Sequence, residues 1–587
     1  MGKRWRIHPH DAPRITECER STGVSPLVAQ LLLCRGVTDP VAVRTFLDAK
    51  LSDLHDPELL PGIPEAADRL MAAIRARRRI IIYGDYDADG MTATALLMYC
   101  LRLLGADVGY YVPNRLEEGY GLNAEAIRTL AGRGAQVLLT VDCGVASVQE
   151  ARVAAELGIE LIVTDHHAFG DELPAAAVVV HPRLPGRTYP FGDLCGAGVA
   201  FKLAWALCCR ASDSKKVSPR MREFLLSAIG LAAIGTVADV VPLVDENRIL
   251  VRHGLVSLRE RPSRGVRELL RVTQLADKPV LSAEDIAFML APRLNAAGRL
   301  GQAQLGVELL TTDSPERATA LADYIHQLNS SRESLERSVY LSATKQIKDQ
   351  FTEEDPAFVL ASSGWHPGVI GIVAGRLAEK HGRPVVLIAL DEFGGKPGTG
   401  SGRAGCAVNL HEALRSCSLH LVTHGGHAAA AGLRIAPHCI DAFRAEFCEH
   451  VAQLAPSVAR TTDLLIDAEA TFSQLTTSTV QQMESLAPFG HGNPRALLCA
   501  TGVQLAEPPR RLGGGERHVS LRLIQHRVAL RAVAFGRAEW HDELAQIQEP
   551  IDIAFRPVIN DYKGMRNVEL HLVDWRRTPQ LASLAIP

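Results

Sequence analysis

Three aspartates alternate along five residues of the stretch IIIYGDYDADGMTAT, residues 80–94. Asp85, Asp87 and Asp89 come directly after an apolar run that is typical of a buried strand. Like charges this close repel one another, which costs free energy unless a cation holds them. The spacing therefore indicates a metal site, and other parts of the chain are expected to supply further ligands.

More acids and imidazoles follow other apolar runs. Asp142 ends the run LLTVDCG, LIVTDHH closes with Asp165, His166 and His167, and Asp239 interrupts IGTVADVVPL. In open α/β sheets ligands collect at the carboxyl ends of strands, so these groups are expected to converge. Taken singly, each aspartate is also compatible with a helix cap or a turn, and the histidine pair with a polar loop.

The combination of these groups favours a particular kind of metal. Carboxylates and imidazole without thiolates suit Mn²⁺ or Mg²⁺ better than a structural zinc ion. Five or six ligands are too many for one tetrahedral ion, whereas two cations about 3.5–4 Å apart, bridged by one carboxylate, would use them all. The sequence thus predicts two divalent cations.

The composition is that of an ordinary globular protein of 587 residues, 47% hydrophobic and 22% charged. We find no run of about 18 apolar residues and no apolar signal core, which predicts no membrane span. The twelve cysteines form no CxxC pair, which favours a reducing cytoplasm. A net charge of −3 neither indicates nor excludes binding to nucleic acid. No dimerisation signal stands out, so we expect a monomer.

The elements that position these groups alternate between strand and helix from about residue 80 to 180, which predicts a mostly parallel sheet covered on both faces. A helical stretch follows and ends in a long charged helix that could connect two lobes. A second α/β pattern begins near Ala357, and five short alternating strands near the end predict a small β-barrel. The predicted fold class is therefore α/β with a helical connector and a C-terminal barrel.

Four stretches, GDYDADG, VDCG, TDHH and TVADVVPL, resemble in order and spacing the motifs of the DHH phosphoesterase superfamily. GGHAAAAGL, residues 425–433, is similar to the signature of the associated DHHA1 domain. From about residue 45 to the end, the chain resembles one branch of the superfamily, the bacterial single-strand-specific DNA exonucleases. The stretches that carry this resemblance are PRLNAAGRL at 292–300, GWHPGVIGIVAGRL at 364–377, GSGRAG at 400–405 and APFGHGNP at 487–494.

The resemblance implies domain boundaries and a set of metal ligands. The expected segments are an N-terminal extension 1–50, a DHH domain 51–280, a helical connector 281–350, a DHHA1 domain 351–456 and an OB-type barrel 457–587. The implied ligands are Asp87, Asp89, Asp142, His166 and Asp239, with Asp142 placed to bridge. Asp85 is implied as a further ligand or as an acid behind the ligands. His167 is implied to face the scissile phosphate, and Asp165 to orient the histidines.

The resemblance also implies substrate contacts. Ser401 and Arg403 match a pocket for the 5′-terminal phosphate, and Ala404 stands where relatives often carry a serine, which removes one hydrogen bond to that end. The other implied contacts are Arg115, Arg293, Arg299, Gly425, Gly426 and His427. Solvated surface charge remains an alternative for Arg115 and Arg293, and an ordinary turn for the two glycines. In the barrel, the candidates for strand binding are Arg510, Arg511, Arg517, Arg522, Phe535 and Arg556, with Phe535 interpreted as a core residue.

The implied function is metal-dependent 5′→3′ hydrolysis of single-stranded DNA in DNA repair, mismatch repair and recombination, with a helicase and a single-strand binding protein as partners. Polarity comes from the resemblance alone. A phosphodiesterase for short oligonucleotides or small nucleotides would use the same metals but would leave the barrel without a role. A scaffold that has lost catalysis is disfavoured because no metal motif is broken.

Overall fold

The computed structural model describes residues 3–119, 121–212, 217–352, 354–392, 394–454, 463–562 and 565–578. The chain forms two compact units. The smaller unit comprises Met1–Leu54, Pro242–Val244 and Thr461–Pro587, and the larger one His55–Val241 and Asp245–Arg460. Among the described residues, the chain thus crosses between the units at 54–55, 241–242 and 244–245.

The larger unit begins with a five-stranded sheet in which every pairing is parallel. Its strands, in spatial order, are Val108–Tyr111, Ile80–Tyr83, Val137–Thr140, Glu160–Thr164 and Val178–Val180. The two central strands, IIIY and VLLT, are buried along their whole length. Continuous apolar strands of this kind belong to parallel sheets covered on both faces, as the sequence predicted.

Helices surround this sheet and continue beyond it. They are Ile63–Arg75, Ala88–Leu103, Ala124–Gly132, Val148–Glu156, Gly196–Ala211, Pro219–Ala238, Asp245–Glu260, Arg264–Val272, Ala283–Asp285, Ala291–Arg299 and Ala303–Thr311, with a 3₁₀ turn at Pro57–Leu59 and a π-helical turn at Ile286–Leu290. One of them, Pro219–Ala238, is long and apolar enough to cross a membrane by length and composition alone. Most of its apolar window is buried, and it packs against Ala88–Leu103, Gly196–Ala211 and Asp245–Glu260 as a core helix.

The predicted long charged helix is a single helix, Pro315–Gln350. Ser314 caps its start by accepting a hydrogen bond from the backbone N–H of Arg317, and Pro315 occupies the first turn, where no N–H is needed. Its 36 residues span about 54 Å at 1.5 Å per residue. The helix packs against both Ala291–Arg299 and Pro367–His381. It therefore connects the helices that follow the first sheet with the second α/β part.

The second α/β part of the larger unit is a five-stranded mixed sheet. In spatial order its strands are Leu421–Gly426, Ala430–Ile435, Gly398–Arg403, Val385–Ala389 and Phe358–Ser362. The last two are parallel and the other pairings are antiparallel. The helices of this part are Pro367–His381, Leu410–Ser416 and Ile440–Leu454, with 3₁₀ turns at Ser418–His420 and Pro437–Cys439.

The smaller unit contains a closed barrel. The ring runs through Leu498–Leu505, Ile551–Tyr562, Met565–Arg577, Val528–Ala534 and His518–Gln525, and the last strand pairs again with the first. All five strands predicted from the sequence are present, so the barrel is confirmed. Further strands are Ala468–Glu469 and Arg510–Leu512 at the sheet and the separate pair Arg4–Ile7 and Asp463–Ile466. The remaining helices after residue 460 are Phe472–Gln474, a 3₁₀ turn, Thr477–Glu484 and Trp540–Ala545.

The N-terminal helices share the core of this barrel. They are Ala12–Thr22, Pro26–Cys34 and Pro40–Leu47, followed by the 3₁₀ turn Leu51–Asp53. Val28, Leu31 and Leu32 are fully buried in the same apolar cluster as Leu498 and Phe555 of the barrel strands. The N-terminal segment is therefore part of the compact barrel unit.

Candidate metal centre and arginine cluster

The first group of aspartates lies where the strand Ile80–Tyr83 passes into a helix. Asp87 caps the helix Ala88–Leu103, and its Oδ1 accepts hydrogen bonds from the backbone N–H groups of Asp89 and Gly90 at 2.9 and 3.0 Å. The capping role that the sequence left open is therefore real. It does not exclude a metal, because the other oxygen of Asp87 is not needed for the cap.

The carboxylate of Asp89 contacts the N-terminus of a second helix, Gly196–Ala211. This carboxylate accepts hydrogen bonds from the backbone N–H groups of Gly196 at 2.7 Å and Ala197 at 2.9 Å. The positive end of a helix stabilises a carboxylate placed there. A Cβ atom on Gly235 would lie 2.3 Å from Asp89 Oδ1, so a glycine is needed for this approach.

Asp142 follows the strand Val137–Thr140 in a left-handed backbone conformation with φ of 63°. Aspartate tolerates this region better than most residues, yet the conformation costs free energy and is found most often at functional sites. A Cβ atom on Gly196 would lie 2.6 Å from Asp142 Oδ1. Strain and close packing together fix the carboxylate at the carboxyl edge of the sheet.

Asp165 holds the two histidines that follow it. Its Oδ1 accepts hydrogen bonds from the backbone N–H of His166 at 2.7 Å and lies 2.8 Å from Nδ1 of His167. Its Oδ2 accepts the backbone N–H of Val145 at 2.9 Å. Burial would raise the pKa of Asp165, but these hydrogen bonds lower it below its usual value. Asp165 is therefore hydrogen-bonded to both residues that follow it, and the positioning role implied for it stays a prediction.

His166 lies between three carboxylates. Its Nε2 is 3.1 Å from Asp142 Oδ1, 3.6 Å from Asp239 Oδ2 and 3.9 Å from Asp89 Oδ2. Asp239 reaches this position from the C-terminal end of the helix Pro219–Ala238, where it follows the last helical residue. The interrupting aspartate of TVADVVPL is thus brought to the same place as the strand-end groups.

The seven predicted acids and imidazoles form three overlapping donor sets. In each set, the ligand atoms lie within 4.8 Å of one another. The sets are Asp85 with Asp87 and Asp142, Asp89 with His166 and Asp239, and Asp142 with His166 and His167. Asp142 and His166 each belong to two sets, and of the two only the Asp142 carboxylate has two oxygens with which to bridge two cations.

The charges of this centre are unbalanced without cations. Burial first, and then the neighbouring carboxylates, raise the pKa values of Asp85, Asp89 and Asp142 above the usual value. The same causes raise the pKa of Asp239 to about 8. Burial lowers the pKa of His166 to about 4, so its imidazole is neutral and suited to ligation.

Two observations test whether divalent cations fit here. Oδ1 of Asp85 is buried, and no described residue donates a hydrogen bond to it. Such an atom costs free energy unless an ion or water partners it. The donor set is oxygen-rich with one or two imidazoles and no thiolate, which matches the preferences of Mn²⁺ and Mg²⁺. The residues present therefore fit the predicted cations.

A cluster of arginines adjoins the carboxylates. Burial, and then the charges of Arg115, Arg332 and Arg403, lower the pKa of Arg299 to about 10. Burial and the charge of Arg115 likewise lower the pKa of Arg403. The Arg115 guanidinium also lies 4.9 Å from the ring centroid of Tyr86, which stands between two of the aspartates. Cations gathered this closely repel one another, and an anion such as phosphate would relieve the repulsion.

Glycines and an asparagine set the position of Arg299. A Cβ atom on Gly298 would lie 1.9 Å from the carbonyl oxygen of Tyr86, and one on Gly368 would lie 2.1 Å from that of Arg299. Oδ1 of Asn295 accepts the backbone N–H of Ala88 at 2.9 Å. The helix Ala291–Arg299 is thus pressed against the loop that carries the aspartates.

Ser401 and Arg403 are neighbours on the strand Gly398–Arg403. Nη1 of Arg403 donates hydrogen bonds to Ser401 Oγ at 2.9 Å and to the Gly402 carbonyl at 2.8 Å. A Cβ atom on Gly371 would lie 2.9 Å from Ser401 Oγ and 3.0 Å from Arg403 Nη2. The glycine in GVIGIVAG therefore leaves the space in which these two polar groups lie.

The other predicted phosphate contacts are placed differently. Nη1 of Arg293 donates to the Met289 carbonyl at 2.8 Å, and burial lowers its pKa. Gly425 pairs across the sheet with Gly432, which pairs in turn with Ser401, so it shares a register line with the serine. Gly426, with φ of 136°, and His427 follow at an exposed turn.

Sequence reasoning missed several residues that belong here. Arg332 lies on the helix Pro315–Gln350, where its charge acts on Arg299 and Arg293. Its Nη1 donates to Glu336 at 2.7 Å, so it looked like an ordinary helix ion pair in the sequence. The glycines of LCGAG and GLAAIG, which admit the carboxylates, were visible as small residues before or within helices but were not interpreted.

The five arginine candidates of the barrel have exposed side chains, on strands or in the loops between them. They are Arg510, Arg511, Arg517, Arg522 and Arg556. The interpretation of Phe535 as a core residue was wrong, because 54% of it is exposed. It follows the last residue of the strand Val528–Ala534, where the alternation of faces no longer applies, and its ring contacts His518 and His571 at centroid distances of 5.3 and 4.9 Å.

Comparison with known proteins gives the class first. Residues 79–229 match the DHH family, N-terminal domain, residues 354–453 match the DHHA1 domain, and residues 466–574 match the RecJ OB domain. The chain is therefore a DHH phosphoesterase-type protein with a DHHA1 domain and an OB-type barrel, and the predicted fold class is confirmed.

Full-length relatives narrow the class to one family. The single-stranded-DNA-specific exonuclease RecJ of Bacillus subtilis is 36% identical over 575 residues, which cover 97% of this chain and 70% of that protein. The crystal structure of Thermus thermophilus RecJ with Mn²⁺ is similar with a TM-score of 0.83 at 33% identity, covering 98% of this chain and 80% of that one. Its Mg²⁺ complex matches with a TM-score of 0.77 at 32% identity, covering 98% and 79%. This chain belongs to the RecJ family.

Proposed function

We propose that this protein is a metal-dependent exonuclease that degrades single-stranded DNA from the 5′ end and serves DNA repair, mismatch repair and recombination. The observation that carries the proposal is the convergence of seven acids and imidazoles with a cluster of arginines in one unit. Names of relatives and the OB-type barrel support the substrate class.

The residues that would hold two Mn²⁺ or Mg²⁺ ions are Asp85, Asp87, Asp89, Asp142, His166 and Asp239, with Asp142 as the bridge. When bound, the two ions would activate a water molecule as nucleophile and offset negative charge on the attacking and leaving oxygens. Relatives crystallised with Mn²⁺ and with Mg²⁺ support this assignment.

His167 supplies positive charge to the reaction. Burial would lower its pKa, but the hydrogen bond with Asp165 and the surrounding carboxylates raise it to about 9. In the cation-free protein the imidazolium is therefore favoured at neutral pH, and we infer that His167 stabilises negative charge that develops on the phosphoryl oxygens. Asp165 keeps the ring oriented and charged, so it acts as a positioning residue.

Polarity rests on recognition of the terminal phosphate. Ser401, Arg403, Arg115 and Arg299 would bind the 5′-phosphate, and Arg293, Gly425, Gly426 and His427 would contact the strand behind it. A phosphate held by several guanidinium groups gains charge-assisted hydrogen bonds and relieves their mutual repulsion. Arg115 comes from the first α/β part, Arg299 from the helix Ala291–Arg299 and Arg403 from the second α/β part, which supports binding of the substrate between the two α/β parts.

A phosphodiesterase for short oligonucleotides is the second candidate, because the same centre would serve it. The barrel argues against it, since OB-type barrels bind single strands over several nucleotides. The exposed ring of Phe535 strengthens this argument, because exposed aromatic rings stack on bases.

The test uses single-stranded DNA labelled at its 3′ end, with a matched blunt duplex alongside and Mn²⁺ in the buffer. We expect a ladder that shortens from the 5′ end while the duplex stays intact. Cleavage of dinucleotides without digestion of the long strand would favour the second candidate instead. A control with Mn²⁺ replaced by EDTA should show no products.

Partners, location and boundaries complete the proposal. A nuclease confined to single strands depends on a helicase to supply them and on a single-strand binding protein that covers them. We place the protein in the cytoplasm as a monomer, and its twelve free cysteines support a reducing compartment.

The matched ranges fall within the proposed domains 51–280, 351–456 and 457–587, beside the extension 1–50 and the connector 281–350. The boundary at 456–457 lies outside the described residues.

A further inference from the structure

A cavity of about 890 Å³ opens in the larger unit between the helices Pro219–Ala238, Asp245–Glu260 and Arg264–Val272. Its volume lies in the range of about 300–1,000 Å³ that small-molecule sites occupy. None of its lining residues belongs to the metal centre or to the arginine cluster. The cavity is therefore a separate feature of the fold.

One wall of the cavity is apolar and partly aromatic. Phe224, Ala228 and Leu231 face it from successive turns of one helix, since residues four and seven apart share a helix face. Tyr99 lines it from the helix Ala88–Leu103, and its hydroxyl donates a hydrogen bond to the Leu310 carbonyl at 2.8 Å. The two rings offer flat surfaces against which a planar ligand can pack.

The lining of the cavity also carries cations. Arg220, Arg264 and Arg267 line it with exposed side chains, and none of them forms an ion pair with a described residue. Arg264 and Arg267 lie one turn apart at the start of the helix Arg264–Val272, whose positive dipole end adds to their charge.

The acids of the cavity do not cancel this charge. Arg261 forms ion pairs with Glu223 at 3.2 Å and Glu260 at 3.0 Å, which uses both glutamates. With Asp313 as the third acid, the lining holds four arginines against three acids, which leaves it a formal charge of +1. The cavity therefore has a net preference for anions beside its apolar wall.

We propose that this cavity binds a nucleoside 5′-monophosphate, with the base against Tyr99 and Phe224 and the phosphate on Arg264 and Arg267. A flat apolar group joined to a strong anion is the chemistry that the two walls select together. The inference does not depend on the proposed nuclease activity, because no residue of that centre takes part.

The position of the cavity links it to the metal centre through two helices. The helix Ala88–Leu103 carries Asp89 in its first turn and Tyr99 about 15 Å further along, at 1.5 Å per residue. The helix Pro219–Ala238 lines the cavity between Arg220 and Leu231, and Asp239 follows its last residue. A nucleotide in the cavity would thus pack against both helices that carry these two carboxylates.

The test is equilibrium dialysis of radiolabelled dAMP against the whole protein in EDTA. We expect two sites in the wild type, one of which is weakened at least tenfold in the double variant Arg264→Gln/Arg267→Gln. The control Arg222→Gln, an exposed arginine of the helix Pro219–Ala238 that does not line the cavity, should keep both sites. Arg403→Gln should remove only the other site, which belongs to the arginine cluster.

Two results would overturn the inference. One is a double variant that binds dAMP like the wild type, and the other is loss of all binding in Arg403→Gln alone. The nuclease assay without added nucleotide adds a second check, since the double variant should digest single strands at the wild-type rate. If the double variant folds correctly but digests single strands slowly, these arginines contact the DNA substrate instead.

Discussion

Two clusters of buried charge in the larger unit are built in opposite ways. At the metal centre, carboxylates of one sign lie together, and their pKa values are raised by burial and mutual repulsion. In the second cluster, Lys202 and Glu246 are opposite charges that are both fully buried and form an ion pair. The first cluster needs an outside partner, whereas the second has its partners within the fold.

Both charged groups of the second cluster have partners among the described residues. Nζ of Lys202 donates to the His55 carbonyl at 2.6 Å, and the backbone N–H of His55 donates to Glu246 at 2.9 Å. The Tyr189 hydroxyl donates to the other oxygen of Glu246 at 2.5 Å, and the ring of Trp205 lies 5.2 Å from Nζ. Burial still lowers the pKa of Lys202. Satisfied charges of this kind hold a structure together, while unsatisfied like charges mark a site of function.

The substitution Asp142→Asn should separate function from stability most clearly. Asparagine has the same shape and tolerates the left-handed backbone, so the fold should persist. We expect Mn²⁺-dependent digestion of single strands to fall by at least about a thousandfold. Stability in EDTA should rise by about 1–2 kcal/mol because one like charge is removed. Activity assays and urea unfolding measure the two effects, and a variant with near-normal activity would disprove the two-metal assignment.

The opposite behaviour is expected of Lys202→Met. Removal of the cation leaves Glu246 buried without its partner, which should cost about 3–5 kcal/mol of unfolding free energy. Turnover per folded molecule should not change, because the pair lies outside the metal centre. The double variant Lys202→Met/Glu246→Gln should recover part of the loss, since the glutamine oxygen still accepts the His55 N–H and its NH2 group can donate to the Tyr189 hydroxyl oxygen. If the single variant unfolds like the wild type, the ion pair contributes nothing.

The sequence was sufficient to predict the functional residues that directly follow a strand. Asp85, Asp142 and His166 come straight after apolar strands, and parallel strands bring their carboxyl ends together. Lys202 could not be interpreted in the same way, because a lone lysine in GVAFKLAWALCC has its partner at residue 246. Arg332 was missed for a related reason, since its neighbours in sequence already explained its charge. Contacts that depend on tertiary packing leave no local pattern.

Loss of the terminal-phosphate contact is expected to have a smaller effect. Arg403→Gln should raise KM for 5′-phosphorylated strands by about 10–100-fold, as one charge-assisted hydrogen bond contributes roughly 1.5–3 kcal/mol. Strands with a 5′-hydroxyl should be affected much less, so the preference for the phosphate should vanish. The exposed Arg415→Gln on the next helix serves as the control. An unchanged preference in Arg403→Gln would remove this residue from the 5′ pocket.

Addition of Mn²⁺ should distinguish the two clusters by stability alone. The wild type should gain about 2.7 kcal/mol at a Mn²⁺ concentration one hundred times Kd, because only the folded state gathers the carboxylates. The Lys202→Met variant should gain the same increment, whereas Asp142→Asn should gain much less. Thermal unfolding with and without Mn²⁺ gives the comparison. Equal gains in all three proteins would show that the ion binds elsewhere.

Arg332 combines features of both clusters, so its substitution tests the comparison between them with the smallest expected effect. It forms an ion pair with Glu336 at 2.7 Å, as a structural group would, yet its charge also acts on Arg299. If it serves the substrate, Arg332→Gln should raise KM about three- to tenfold with kcat unchanged. The slope of log KM against log salt should also shrink by about 0.7, the value for one phosphate contact on a single strand. The exposed Arg337→Gln on the same helix should change neither quantity. A loss of stability without a change in KM would show that Arg332 has a structural role like that of Lys202. Its ion pair with Glu336 would then be the reason for its charge.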